Sequence, residues 1–159
     1  MSATASLKEF VKDQLANKQY ESRAEELKRW RLDVQALFKQ AESWIHSADP
    51  EGRVFEISEA GAVLDDEKHY GSFGIFGVCI RLLTGEGGTV TLEHRALVTT
   101  RKNTFGLLEM SGALKKYYVY RRMPQPGTET AWDIVNSDNN HSEPWSQASF
   151  EKALQELLK

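Results

Sequence analysis

Apolar residues recur at helical spacing along the first third of the chain and at alternate positions through most of the remainder. Between Ala24 and Ile45, the residues Leu27, Trp30, Val34, Leu37, Ala41 and Trp44 are spaced alternately three and four apart, which places them on one helix face. Phe38 and Ile45 widen that stripe, so it suits burial against a broad surface better than a narrow two-helix seam. Glu25, Arg29 and Asp33 follow at four-residue intervals, the spacing of surface ion pairs. Asp49-Pro50 and Gly52 should end the helix, because proline cannot continue the hydrogen-bond ladder. Upstream, Leu7, Phe10, Val11 and Leu15 mark a shorter apolar face behind Ser6, which stands three residues before Glu9 as in a capping box. The face fades over Asn17-Lys18-Gln19, and Ser22 to Glu25 repeats the capping-box spacing. The pattern therefore predicts frayed residues 1–5 and helix over 6–48, with a break near residue 22 that sets off a short first helix.

After Gly52 the period drops to two, the signature of strands. Short strands are expected at Arg53–Ile57 and Ala62–Leu64, on either side of Glu59-Ala60-Gly61. Phe73–Thr84 reads as a long strand with apolar residues on both faces, hence central and covered on both sides. Val90–Thr100 carries Val90, Leu92, Ala96 and Val98 on one face and polar residues on the other. Thr104–Met110, Leu114–Arg122 and Thr130–Asn136 complete the strands, and Ser137 to Pro144 reads as a polar loop. Ser146 can cap a last helix over 146–158, whose face is Phe150, Leu154, Leu157 and Leu158. Tight turns between successive strands imply an antiparallel meander, since parallel pairing would need crossovers that the pattern does not contain. The expected fold class is α+β, in one domain over 1–159. A long amphipathic helix packs on a meander of about six to seven strands spanning 53–136, and a C-terminal helix closes it.

Composition changes this picture little. The chain is 40% hydrophobic and 27% charged, an ordinary globular balance that can bury a core without covalent staples. Its one cysteine, Cys79, excludes an internal disulfide and points to the cytoplasm. Charge distribution is more informative than the net −3. Residues 1–50 hold eight acids and eight bases, whereas residues 101–122 hold six bases and one acid. That basic island interrupts an otherwise acidic second half.

Candidate chemistry is sparse. No pair of Cys or His stands at zinc spacing, and Gly85-Glu86-Gly87-Gly88 lacks the lysine and helix that a phosphate loop needs. We assign no catalytic residue, metal site or cofactor. Asp65-Asp66-Glu67-Lys68-His69 is the densest set of possible ligands, but it matches no calcium-loop spacing and reads as a solvated turn. His94 falls on the inward face by alternation. With Arg81 and Tyr118 it punctuates otherwise apolar strands, so these three are the candidate groups for a small-molecule cavity. Within the island, Lys115, Lys116, Tyr117, Arg121 and Arg122 are candidates for binding nucleic acid or an acidic partner. Alternation sets Lys116, Tyr118, Tyr120 and Arg122 on one face, with Lys115, Tyr117, Val119 and Arg121 on the other.

Three functions are ranked on these features. A non-catalytic protein-interaction or oligomerisation module, with a homodimer as its simplest form, leads because the apolar stripe is long and catalytic motifs are lacking. A small-molecule-binding helix-on-sheet domain with a cavity near His94 comes second. Nucleic-acid binding through residues 115–122 comes third, because the rest of the chain is acidic. No membrane association is expected.

Overall fold

The structure, a computed structural model, describes residues 3–66, 71–125 and 127–159. Its first element is a single helix, α1, spanning Ala3–Ala48 without interruption. The expected break near residue 22 is absent, and Ser6 and Ser22 lie inside the helix rather than at its start. The reason is compositional. The Ser-x-x-Glu spacing marks an N-terminus only where the preceding residues cannot be helical. Ahead of Ser22 they are rich in Ala, Leu, Lys, Glu and Gln, all strong helix formers.

The stripe of α1 is buried where the heptad spacing placed it. Trp30, Val34, Leu37, Phe38, Ala41 and Ile45 lie in the core, with Leu27 and Trp44 packed against its margin. The helix stops at Asp49, whose carboxylate accepts backbone N–H bonds from Arg53, Val54 and Phe55 at 3.1, 2.9 and 2.9 Å. Those three donors, led by Phe55, hold the Asp49 carboxyl below the usual aspartate range. One side chain thus ties the end of the helix to the start of the sheet.

The sheet has seven antiparallel strands in chain order: β1 Phe55–Asp66, β2 Gly71–Leu82, β3 Gly88–Ala96, β4 Thr104–Ser111, β5 Lys116–Arg122, β6 Trp132–Asn136 and β7 Ser142–Pro144. Three expectations are corrected. The two short strands around Glu59-Ala60-Gly61 are one strand, because Ala60 pairs with Gly77 and Gly61 with Phe76, continuing the register. The loop before Pro144 contains β7, a three-residue edge strand of the kind that tolerates a terminal proline. Third, β2 is covered on one face only: Val78 and Ile80 are buried, whereas on the other face Cys79 is half-buried and Leu83, just past the strand, is 44% exposed, and β3 flanks β2 only over Val78–Leu82.

A bulge explains a further departure. Between His94 and Ala96 the β3–β4 register slips by one residue, with Arg95 as the extra one. Alternation inverts beyond it: Leu97 is buried and Val98 is exposed, the reverse of the predicted face. A second irregularity lies between Thr104 and Leu107 in β4. Gly106 sits there at φ +119°, and a Cβ at that position would overlap the Trp30 ring. The two bulges open the space into which Trp30 projects from α1.

The last helix, α2, spans Gln147–Leu157 behind Ser146, whose hydroxyl accepts from the Ser149 amide while Ser149 answers to the Ser146 amide. Phe150, Ala153, Leu154 and Leu157 are buried with the core residues of α1. Trp44, Trp145 and Phe150 stack where the two helices meet, with ring centroids 5.3 to 5.6 Å apart. The core therefore lies between the two helices and one face of the sheet. Among the described residues, no helix is long and apolar enough to cross a membrane.

Candidate interaction surface

The 46 residues of α1 amount to about 69 Å of helix, far more than the sheet can cover. Among the described residues, its core contacts begin at Leu27. Before that point, Leu7, Phe10 and Val11 are 63%, 58% and 49% exposed. Helical phase shows where these residues point. Leu7 and Val34 are 27 positions apart, about seven and a half turns, so they lie on opposite sides of the helix. Leu7 and Leu32 are 25 positions apart, about seven turns, so they share a side. Leu32 is itself 58% exposed. The apolar residues of the first turns therefore face away from the protein's own sheet, and Leu32 continues their line behind the buried stripe. Along the same line Glu25, Lys28 and Arg29 are exposed.

The β1–β2 hairpin also extends past its neighbours. The β2–β3 ladder ends at Val78 opposite Leu92, while β1 and β2 stay paired out to Asp66 and Gly71. In that two-stranded ribbon the register sets Leu64 opposite Phe73 and Ala62 opposite Ile75. A ribbon of two strands is marginally stable alone in water, and both its edges keep unpaired backbone groups. Of the Asp65–His69 cluster, positions 67–69 lie outside the described residues.

The sequence-predicted cavity residues are not brought together. His94 faces inward, and its Nδ1 accepts a hydrogen bond from Trp30 Nε1 at 2.9 Å, with the rings edge-on. Arg81 lies on the opposite face of the sheet, paired at 3.0 Å with Glu56 of β1. Tyr118 shares that outer face, half-buried beneath Lys116, whose Nζ stands 5.7 Å from the ring centroid. His94 therefore belongs to the seam between α1 and β3, and the other two belong to the far side of the sheet.

The basic strand divides as alternation predicts, and each half is already engaged. Arg121 is 1% exposed. Its Nη1 donates to Asp33 at 2.7 Å, its Nε donates to the Phe105 carbonyl at 2.7 Å, and its guanidinium lies 4.9 Å from the Trp30 ring centroid. Burial lowers the Arg121 pKa against the pull of Asp33. On the outer face Arg122 makes a bidentate pair with Asp133, at 2.9 and 2.7 Å, and Lys116 lies 3.3 Å from Glu109. Both cations are held above their ordinary pKa by those carboxylates. Lys115 reaches Glu156 of α2 at 3.9 Å. Tyr117 turns inward beside Ile134.

Tyr117 does line a cleft that sequence reasoning missed. A cleft of about 240 Å³ lies between β5–β7 and α2, with Asn136, His141, Glu143, Lys152 and Glu156 around the phenol. Burial first, then Glu156 and Glu143, raise the Tyr117 pKa. These groups meet only through β7 and α2, and no spacing in the chain announces them. A wider groove of about 640 Å³ runs between Lys39, Glu42 and His46 of α1 and Ile57 to Glu59 of β1. His94 lines neither. Among the described residues, no group of three or more His, Cys, Asp or Glu side chains is placed to hold a metal ion. No family model, curated protein or solved structure matches this chain.

Proposed function

We propose that this protein is a non-catalytic self-association module of the cytoplasm. In this reading the domain formed by the sheet, α2 and the second half of α1 is a folded anchor. The first half of α1 is the part that binds. The observation that carries the reading is the set of exposed apolar residues Leu7, Phe10, Val11 and Leu32 on the side of α1 opposite its core stripe. Apolar side chains aligned on one exposed face mark an interaction surface more often than single scattered ones do. The β1–β2 ribbon, paired on one side only beyond Val78, adds a second unfinished edge. A second copy is the occupant favoured by charge. Residues 1–50 carry eight acids and eight bases, so two such segments approach without net repulsion.

Nucleic-acid binding is the reading with least support, because Arg121 is buried and Lys115, Lys116 and Arg122 each have a carboxylate neighbour. Multi-angle light scattering of the full chain across a concentration series tests self-association. The expected mass approaches twice 18.0 kDa as concentration rises. A mass of 18.0 kDa at every concentration overturns the proposal.

A further inference from the structure

We infer that two copies pair antiparallel through the outward face of α1, with Leu7 of one copy opposite Leu32 of the other. The inference rests on the self-association reading and adds an orientation and a register. Its starting point is the order of side chains along that face: Leu7, Phe10 and Val11 first, then Glu25, Lys28, Arg29 and Leu32, all exposed. The face is apolar at both ends and charged in between.

A parallel, in-register pair would set each residue against itself. Lys28 would meet Lys28, Arg29 would meet Arg29 and Glu25 would meet Glu25, all unfavourable like-charge contacts. An antiparallel pair with its two-fold axis between positions 19 and 20 does the opposite. Leu7 meets Leu32, Phe10 meets Arg29, and Val11 meets Lys28, and the symmetry makes each contact twice. Arg29 over the Phe10 ring is a cation–π contact, and the Lys28 stem can lie along Val11. Each exposed apolar side chain thus meets an apolar or cationic partner, and none of these contacts sets like charges together.

Neighbouring registers lose part of this match. Sliding one turn, so that Val11 meets Leu32, sets Leu7 against Ala36 and Phe10 against Asp33. Ala36 offers Leu7 a single methyl in place of an isobutyl group. The negative face of the Phe10 ring would meet a carboxylate instead of a guanidinium. Asp33 is moreover already held by Arg121 at 2.7 Å. Approach from this side is unobstructed by the sheet, which packs on the opposite face of α1 through Trp30, Val34 and Ala41. Gln35 and Ala36, where the first turn of the second copy would arrive, are exposed.

Disulfide trapping tests the register in the full chain, in a Cys79→Ser background that removes the native thiol. Positions 7 and 32 are about 38 Å apart along one helix, so a disulfide between them can form only between two chains. Under mild oxidation the Leu7→Cys/Leu32→Cys double variant is expected to run as a covalent dimer on a non-reducing gel. Leu7→Cys and Leu32→Cys alone are expected to remain single chains. Cross-linking of Leu7→Cys by itself would overturn the antiparallel orientation while leaving self-association intact. A stronger cross-link from Val11→Cys/Leu32→Cys than from Leu7→Cys/Leu32→Cys would overturn the register. A Cys79→Ser chain that scatters as a monomer, with no cross-link in any variant, would overturn both the inference and the reading beneath it.

Discussion

The two halves of α1 are one continuous helix held by different physics. From Leu27 to Ile45 the inward residues are fixed by the sheet and by α2, against which Trp44 packs. Trp30 alone touches β3 through His94, lies over Gly106 of β4 and stacks against Trp132 of β6 at 5.7 Å. From Ser6 to Asp13 every residue is exposed, and the apolar residues turn to the other side. Isolated helices of about 12–15 residues are marginal in water. The first half of α1 is therefore sustained by propagation from the anchored half and by its own strong helix formers. The position of an apolar stripe on α1, more than its presence, decides whether it is covered by the core or left exposed. One stripe faces the sheet, and the other is rotated by half a turn.

If that division is right, substitutions in the anchored half should be costly. The largest expected effect is at Arg121, which joins α1 to β4 and β5 through Asp33, the Phe105 carbonyl and the Trp30 ring. Arg121→Ala leaves Asp33 facing an emptied site, and breaking a buried pair in this way costs about 3–5 kcal/mol. The Asp33 side chain keeps 18% of its surface exposed, so water can reach it and the lower end of that range is expected. A urea unfolding curve measures the loss. Arg121→Met with Asp33→Asn should recover part of it, because a pair removed together leaves no orphaned charge. A single-variant loss below about 1 kcal/mol would mean that the pair is not what fastens the helix.

A smaller effect is expected where the anchored half ends. The Asp49 carboxylate is held below its ordinary pKa, chiefly by the Phe55 amide and then by those of Val54 and Arg53. A depressed carboxylate contributes stability above its unfolded pKa of about 3.9 and loses it as pH falls through the folded value. Asp49→Asn should therefore be less stable than the parent chain at neutral pH, and the gap should close as the pH drops below about 4. Thermal melts across that range provide the check. A gap that stays constant with pH would mean that the charge on Asp49 plays no part in joining α1 to β1.

Much of this division was legible in the residues. The core stripe of α1, the antiparallel meander and the Ser146 cap follow from spacing and turn chemistry, and the structure carries all three. The alternation of the basic strand was legible too, down to Arg121 and Arg122 on opposite faces. Partners across the fold were not. Nothing local tells Arg121 that Asp33, 88 residues away, will neutralise it, or His94 that Trp30 will donate to it from 64 residues away. The bulge at Arg95 was also hidden, since its effect is to invert an alternation that reads as regular in sequence. The cleft beside Tyr117 assembles from β5, β6, β7 and α2, and β7 is too short to leave a periodic signal. The half-turn rotation between the two stripes was present in the numbering, but it acquired meaning only once α1 proved unbroken.

The smallest expected effect is the sharpest test of the comparison, because it separates stability from association. Val11 lies on the outward face and is 49% exposed. Val11→Ser removes apolar area without opening a cavity in the core, so in dilute solution the stability should change by no more than about 0.5 kcal/mol. Association behaves differently. If copies pair through this face, the melting temperature of the parent chain rises with protein concentration, because binding of folded chains pulls the equilibrium toward the native state. In Val11→Ser that rise should flatten while the dilute melting temperature stays in place. A variant that is destabilised equally at all concentrations would place Val11 among the packing contacts of the monomer. A variant whose concentration dependence is unchanged would remove the outward face from the interface.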